Sequence, residues 1–325
     1  MQGLQSLKVG FFKFIALILS LVVPVLFMSG SNLTVKADDD KSVEEAIKQG
    51  FYSFKEKINI EEFQILPSKL GEIFSSIIKN DPYLFYISPH LSFSYKTGGC
   101  VLSIKPTYTM PSAEAGKKIS FCREKIIEIS SMICPMFSDF EKALFIHDYL
   151  CQNFDYDLSL KNDNLYDFLT FQKGTCQGYT LAYIAILREC GINACFVASD
   201  TISHMWTLAN IEGEWYHIDV TWDDPISAKP QHRHFLCSDR SAEEKGHRDW
   251  YSPAKVNCSS EIYQGFDFAS YTYSCTLDLN HSGNVDLRDL LSLRVRDKSV
   301  CRFAVGSNFV FCDADLLRKK ILLDN

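Results

Sequence analysis

The stretch Gly174-Thr175-Cys176-Gln177-Gly178-Tyr179 sets a cysteine where a loop gives way to a helix. Apolar residues keep helical spacing from there to Cys190, and Gly191 supplies a C-terminal stop. A thiol is a nucleophile only as thiolate, a form favoured by the positive end of a helix dipole and by a neighbouring imidazolium. The position of Cys176 provides the first of these. Gly178 keeps side-chain bulk away from the opening turn, whose backbone N–H groups are suited to holding an oxyanion.

Three β-rich runs follow, Ala194–Ala198, Ser203–Ile211 and Glu214–Trp222, the last two joined at Glu212-Gly213. If Ile211 pairs with Glu214, Trp206 lies opposite Asp219 and His204 is its diagonal neighbour on the same face. A carboxylate there accepts from one ring nitrogen and turns the other toward sulfur. A register slipped by one residue sends the two side chains to opposite faces. Singly, an apolar-flanked cysteine reads as core packing and a strand histidine as a satisfied polar group. Together, Cys176, His204 and Asp219 form a candidate catalytic set. Helices first and strands after predict an α+β fold with an antiparallel sheet.

With Ser203-His-Met-Trp206 and Trp215-Tyr-His-Ile-Asp-Val-Thr-Trp-Asp-Asp-Pro225, the chain resembles the transglutaminase-like superfamily over about residues 140–240. The resemblance implies a papain-like core, in which the helix carrying cysteine packs on an antiparallel sheet. It carries Cys176 over as nucleophile, His204 as general base and acid, and Asp219 as orienter. Gln177, Tyr179, Trp206 and Trp222 then support substrate or oxyanion, while packing and turn formation are the alternative for Trp222 and Asp223. One departure is Met205 and Thr207 beside Trp206, where a small residue and an amide often stand; it bears on substrate preference. The implied chemistry is acyl transfer from a protein or peptide amide through a thioester, with no cofactor. Water as acceptor gives a peptidase or amidase and needs no second amine-binding groove; a lysine amine gives a cross-link. The rival from another class is a non-catalytic accessory protein that keeps the fold.

Upstream, Pro67–Ile78 has helical spacing, Asp81-Pro82 stops it, and Tyr83–Tyr95, Gly98-Gly99 and Val101–Tyr108 read as a hairpin. Ser42-Val-Glu-Glu fits a capping box. Ala113–Met132 and Phe137 to about Phe154 are expected helices. At the start, Lys8 and Lys13 precede the uncharged run Phe14–Met28 and then Val35-Lys36-Ala37, the pattern of a cleaved signal peptide. The run falls short of the roughly 20 residues a membrane span needs. The expected organisation is a signal peptide over 1–37, an α+β region over 38–112, the catalytic domain over 113–240, a connecting segment over 241–270 and a separate tail over 271–325. The product is expected to be secreted, without a membrane partner.

The 325 residues are 46% apolar and 22% charged, which excludes a disordered, collagen-like or coiled-coil chain. Loss of Lys8, Lys13 and Lys36 with the signal takes the formal charge from −7 to −10. With no basic run, binding to nucleic acid is not expected. All 12 cysteines lie beyond residue 37, either as disulfides or as buried free thiols. There is no C-x-x-C pair for structural zinc, and His232, His234 and Cys237 are a loose metal cluster at best.

The tail holds a second constellation. Oxygen-bearing side chains fall at positions 1, 3, 5, 7, 9 and 12 of a loop, Asp278, Asn280, Ser282, Asn284, Asp286 and Asp289, with Gly283 at the sharp turn. Hard oxygen ligands at this spacing suit Ca2+, position 7 using its backbone carbonyl. Asp289 in last place, followed by Leu290-Leu291-Ser-Leu-Arg294, resembles a type I dockerin. That resemblance implies an EF-hand-like helical tail and a cohesin partner on a polysaccharide-degrading scaffold. A second loop would span Ala304–Asp315 and lead into a helix over Asp313–Leu323. Ala304, Gly306 and Phe309 spoil its ligand pattern, so one calcium is expected.

Overall fold

A computed structural model describes residues 2–8, 37–97, 99–134, 137–225, 231–268, 271, 301–305 and 308–312. The chain forms two compact units, Met1–Ala115 and Gly116–Asn325.

The first unit holds β1 (Gln2–Lys8), α1 (Ala37–Tyr52), β2 (Ile58–Asn59), α2 (Pro67–Asn80), β3 (Ile87–Lys96) and β4 (Val101–Tyr108). Its antiparallel sheet runs β1-β3-β4-β2. Val43, Ile47 and Phe51 of α1 and Leu70, Phe74 and Ile77 of α2 are buried at helical spacing, with Phe51 edge-on to Phe74. The expected helix and hairpin are both present. Ser42, however, lies inside α1, because the helix starts earlier, with Asp38, Asp39 and Asp40 in its first turns. The opening of the expected signal segment, Gln2–Lys8, pairs with the edge of β3, Leu7 opposite Leu91. The apolar run 14–28 lies outside the described residues.

The second unit is a mixed helix-and-sheet body. α3 (Ser112–Ser130) leads in, and α4 (Asp139–Asn153) opens on a capping box in which Ser138 Oγ accepts from Glu141 N and Glu141 Oε2 accepts from Ser138 N. β5 (Asp155–Tyr156) and β6 (Lys173–Gly174) pair in parallel around α5 (Leu165–Phe171). Then comes α6 (Cys176–Glu189), buried without a break from Gln177 to Leu187. A helix apolar on every side belongs at the centre of a core. β7 (Ala194–Ser199), β8 (His204–Ile211) and β9 (Glu214–Ile218) form an antiparallel sheet in that order. The third strand is shorter than expected, since Val220–Asp223 turn into the short helix α7. The closing strand expected at His234–Cys237 is one bridge, His217 to Cys237. α8 (Asp239–Glu244) follows.

Aromatic residues of the expected connecting segment pack on α4: Tyr263 stacks on Phe140 at 5.1 Å, with Phe266, Phe268 and, from the first position of the expected tail, Tyr271 around the same ring. Where the second calcium loop was expected, β10 (Cys301–Val305) and β11 (Asn308–Cys312) form an antiparallel hairpin, Ala304 opposite Phe309. Phe- and Val-rich runs favour strands where loop ligands are missing. The first loop, Asp278–Asp289, and the helix expected over 313–323 lie outside the described residues. Among the described residues, no helix is long and apolar enough to cross a membrane.

Candidate active site

Close packing around two glycines fixes the start of α6. A Cβ on Gly174 would stand 2.4 Å from Phe168 Cδ2 and 2.8 Å from the Asn162 carbonyl oxygen, and one on Gly178 would stand 2.9 Å from Phe168 Cδ2. Gly178 therefore clears room for Phe168 rather than for a substrate. Thr175 N donates to the Asn162 carbonyl at 2.9 Å, clamping the residue before Cys176. Thr180 Oγ1 lies 2.8 Å from the Cys176 carbonyl and 3.0 Å from that of Met205, so its one proton ties helix to strand beside His204. Tyr179 is buried and its hydroxyl donates to Asp224 Oδ2. Gln177 is buried in the first turn.

The β8–β9 register is the expected one, with Ile211 opposite Glu214 and Thr207 opposite Ile218. Asp219 lies one residue past the end of β9 and caps α7, its Oδ1 accepting from Trp222 N at 3.1 Å. Its Oδ2 is 2.7 Å from His204 Nε2. The Cys176 sulfur is near enough to the same imidazole to raise its proton affinity. His204 and Asp219 are 5% and 1% exposed, whereas Cys176 is only half-buried.

Burial by itself disfavours a charged His204. The Asp219 carboxylate, its hydrogen bond and the Cys176 sulfur outweigh that and raise the ring to about 10. Burial likewise opposes ionisation of Asp219, yet His204 and His247 hold its carboxyl well below the usual range. The ring is therefore an imidazolium at neutral pH.

Two tryptophans flank it: Trp222 stacks at 4.8 Å with planes 9° apart, and Trp206 at 5.7 Å and 17°. Trp206 Nε1 donates to His217 Nδ1 at 2.9 Å, which leaves the His217 proton on Nε2 to donate to Asp239 Oδ1 at 2.8 Å. The structure thus brings Cys176, His204, Asp219, Trp206 and Trp222 together, with Tyr179 and Gln177 in the supporting helix turn.

Sequence reasoning missed His247, whose Nε2 is 2.9 Å from Asp219 Oδ2. It also missed His147, buried on α4 between Asp148 Oδ1 at 3.0 Å and Asp223 Oδ2 at 3.2 Å. Burial lowers His147, but these two carboxylates raise it to about 9. Asp223 thereby does more than end a turn: it also accepts His234 N–H. The loose metal cluster is not assembled. His232 donates to Asp148 Oδ1 at 2.6 Å, Lys245 Nζ donates to Cys237 Sγ at 3.2 Å, and His234 meets the edge of Trp222. Among the described residues, three other groups gather ligand atoms within 4.8 Å: His147-Asp148-His232, His204-Asp219-His247 and His217-Asp239-Cys258. In each, imidazole nitrogens already bond to the carboxylate. Cys151, Cys195, Cys237 and Cys258 are buried free thiols, raised in pKa by that burial.

Residues 133–220 match the family model described as the transglutaminase-like superfamily, so this part of the chain is a transglutaminase-like domain. Two solved structures match part of the chain. One is a crystal structure of a TGase, 16% identical with a TM-score of 0.30, the match covering 45% of this chain and 48% of that one. The other is described as a "putative cysteine protease" from Cytophaga hutchinsonii, 18% identical with a TM-score of 0.26, covering 50% of this chain and 64% of that one. The chain therefore spans less than two thirds of the length of either. No curated protein matches it.

Proposed function

We propose that the protein is a secreted, cysteine-dependent acyl-transfer enzyme that hydrolyses protein or peptide amide bonds. The observation that carries this reading is the buried His204 imidazole bonded to the buried Asp219 carboxylate at 2.7 Å, with the half-buried Cys176 sulfur beside the same ring. A thiol with a general acid and base beside it, the base oriented by a carboxylate, is the arrangement nucleophilic acyl transfer needs.

The thiolate of Cys176 adds to the amide carbonyl carbon, and the carbonyl electrons move to oxygen. First-turn N–H groups of α6, which lack acceptors within the helix, hold that oxyanion. As the carbonyl re-forms, the C–N bond breaks and the His204 proton passes to the leaving amine. A thioester remains. Neutral His204 then takes a proton from water, whose oxygen attacks the thioester, and the C–S bond breaks to restore thiolate and imidazolium. Asp219 keeps the ring turned through both halves.

The tail reading belongs to the same proposal: Asp278–Asp289 binds one Ca2+ and docks the enzyme to a cohesin.

Alkylation by iodoacetamide at mildly acidic pH tests the chemistry. Selective modification of Cys176, lost in His204→Ala, supports the enzyme; slow, uniform alkylation of all thiols favours the non-catalytic accessory role. Incorporation of a labelled amine into protein would show that cross-linking, rather than hydrolysis, follows the thioester.

A further inference from the structure

Asp219 Oδ2 has two imidazoles on it. His204 Nε2 is at 2.7 Å and His247 Nε2 at 2.9 Å, while Oδ1 takes Trp222 N. At 1% exposure, Asp219 has almost no access to water that could replace a lost donor. His247 is itself held from behind: its backbone N donates to the Ala242 carbonyl at 3.0 Å and its Nδ1 is 3.3 Å from that oxygen, at the end of α8. Its ring centroid is 4.4 Å from Trp206 and 4.4 Å from Trp222, the two rings that flank His204. One side chain thus touches the carboxylate and both walls of the catalytic imidazole.

We infer that His247 is a positioning residue for the acyl transfer, an inference that rests on the function proposed above. Its Nε2–H fixes Asp219 Oδ2, and its ring spaces the two tryptophans, so that His204 keeps Nδ1 turned toward the sulfur. The other titratable groups packed around this carboxylate do not duplicate the bond. His217 uses its Nε2 on Asp239. His234 is pushed down to about 4 by burial and gives its backbone N–H to Asp223. Asp223 is committed to His147 and His234, and Cys151 points its thiol to the Val220 carbonyl.

Three full-length variants separate a bond from a filler. His247→Gln keeps an N–H at the reach of Nε2; His247→Phe keeps the ring and removes the donor; His247→Ala removes both. The readout is the rate of Cys176 alkylation by iodoacetamide against pH, with circular dichroism to establish folding. With Asp219 loosened, the imidazolium is less favoured. In the Phe and Ala variants the half-maximal pH should then move up by about one unit, and the rate at pH 5.5 should fall about tenfold. The Gln variant should stay within about twofold of the parent. A Phe variant with the parent profile, a Gln variant as impaired as Phe, or a shift to lower pH overturns the inference. If Ala fails to fold, the Gln–Phe comparison decides. A parent profile indifferent to His204→Ala would instead sink the enzyme reading itself, an outcome distinct from any of these.

Discussion

His204 sits where two opposing effects are both large. Its burial penalises charge, and the Asp219 carboxylate at 2.7 Å restores it, leaving the ring raised to about 10. A group that binds its proton more tightly when folded stabilises the fold fully below its unfolded value, near 6.5, and loses that contribution as pH rises through the folded value. His147, at about 9, has the same sign. Melting temperature should be highest below about pH 6.5 and fall progressively from there to about pH 10, as followed by thermal unfolding in a pH series. Hydrolysis should decline only as pH nears the folded value of about 10, where His204 loses the proton meant for the leaving amine. Asp219→Asn keeps the shape and removes the charge; kcat/KM should fall about a thousandfold and the alkaline limb should move to lower pH. Cys176, His204 and Asp219 were legible because a helix start and a two-residue hairpin turn are local signals. His247 was not, because its partner lies 28 residues away and a polar stretch carries no periodicity to mark it.

Among the elements, α6 and β8 do the positioning. Register predicted the face shared by His204 and Asp219, but Asp219 gains its fixity from capping α7, a consequence of Asx chemistry at the strand end rather than of pairing. The short α7 was not readable, since Val220-Thr221-Trp222 has strand composition. Gly174→Ala would drive a methyl to 2.4 Å from Phe168 and 2.8 Å from a backbone oxygen. It should destabilise the second unit by about 1–3 kcal/mol, measured by denaturant unfolding. Thr180→Val removes the hydroxyl between the Cys176 and Met205 carbonyls. It should cost about 1 kcal/mol and slow alkylation of Cys176, because the helix loses its tie to the strand that carries His204.

For the molecule as a whole, the proposed chemistry and the proposed docking lie in different parts of the chain. Asp278→Ala should weaken Ca2+ binding in a titration and cohesin capture, while leaving amide hydrolysis within about twofold; chelation by EDTA should do the same. The calcium loop was read from oxygen spacing alone. The second loop was expected as a degenerate copy, and the strand propensity of Phe303, Val305, Phe309 and Phe311 accounts for the hairpin found there.

The aromatic packing over α4 bears on how this protein can be shortened. The catalytic domain expected from the sequence ends at residue 240. A chain trimmed there would lose His247 from Asp219 and strip Tyr263, Phe266 and Phe268 from Phe140, which is 6% exposed with them in place. The uncovered ring would leave a sticky face on a unit whose candidate site had lost a support. A laboratory seeking the smallest soluble, working version should keep everything through Tyr271, whose hydroxyl still reaches Glu141.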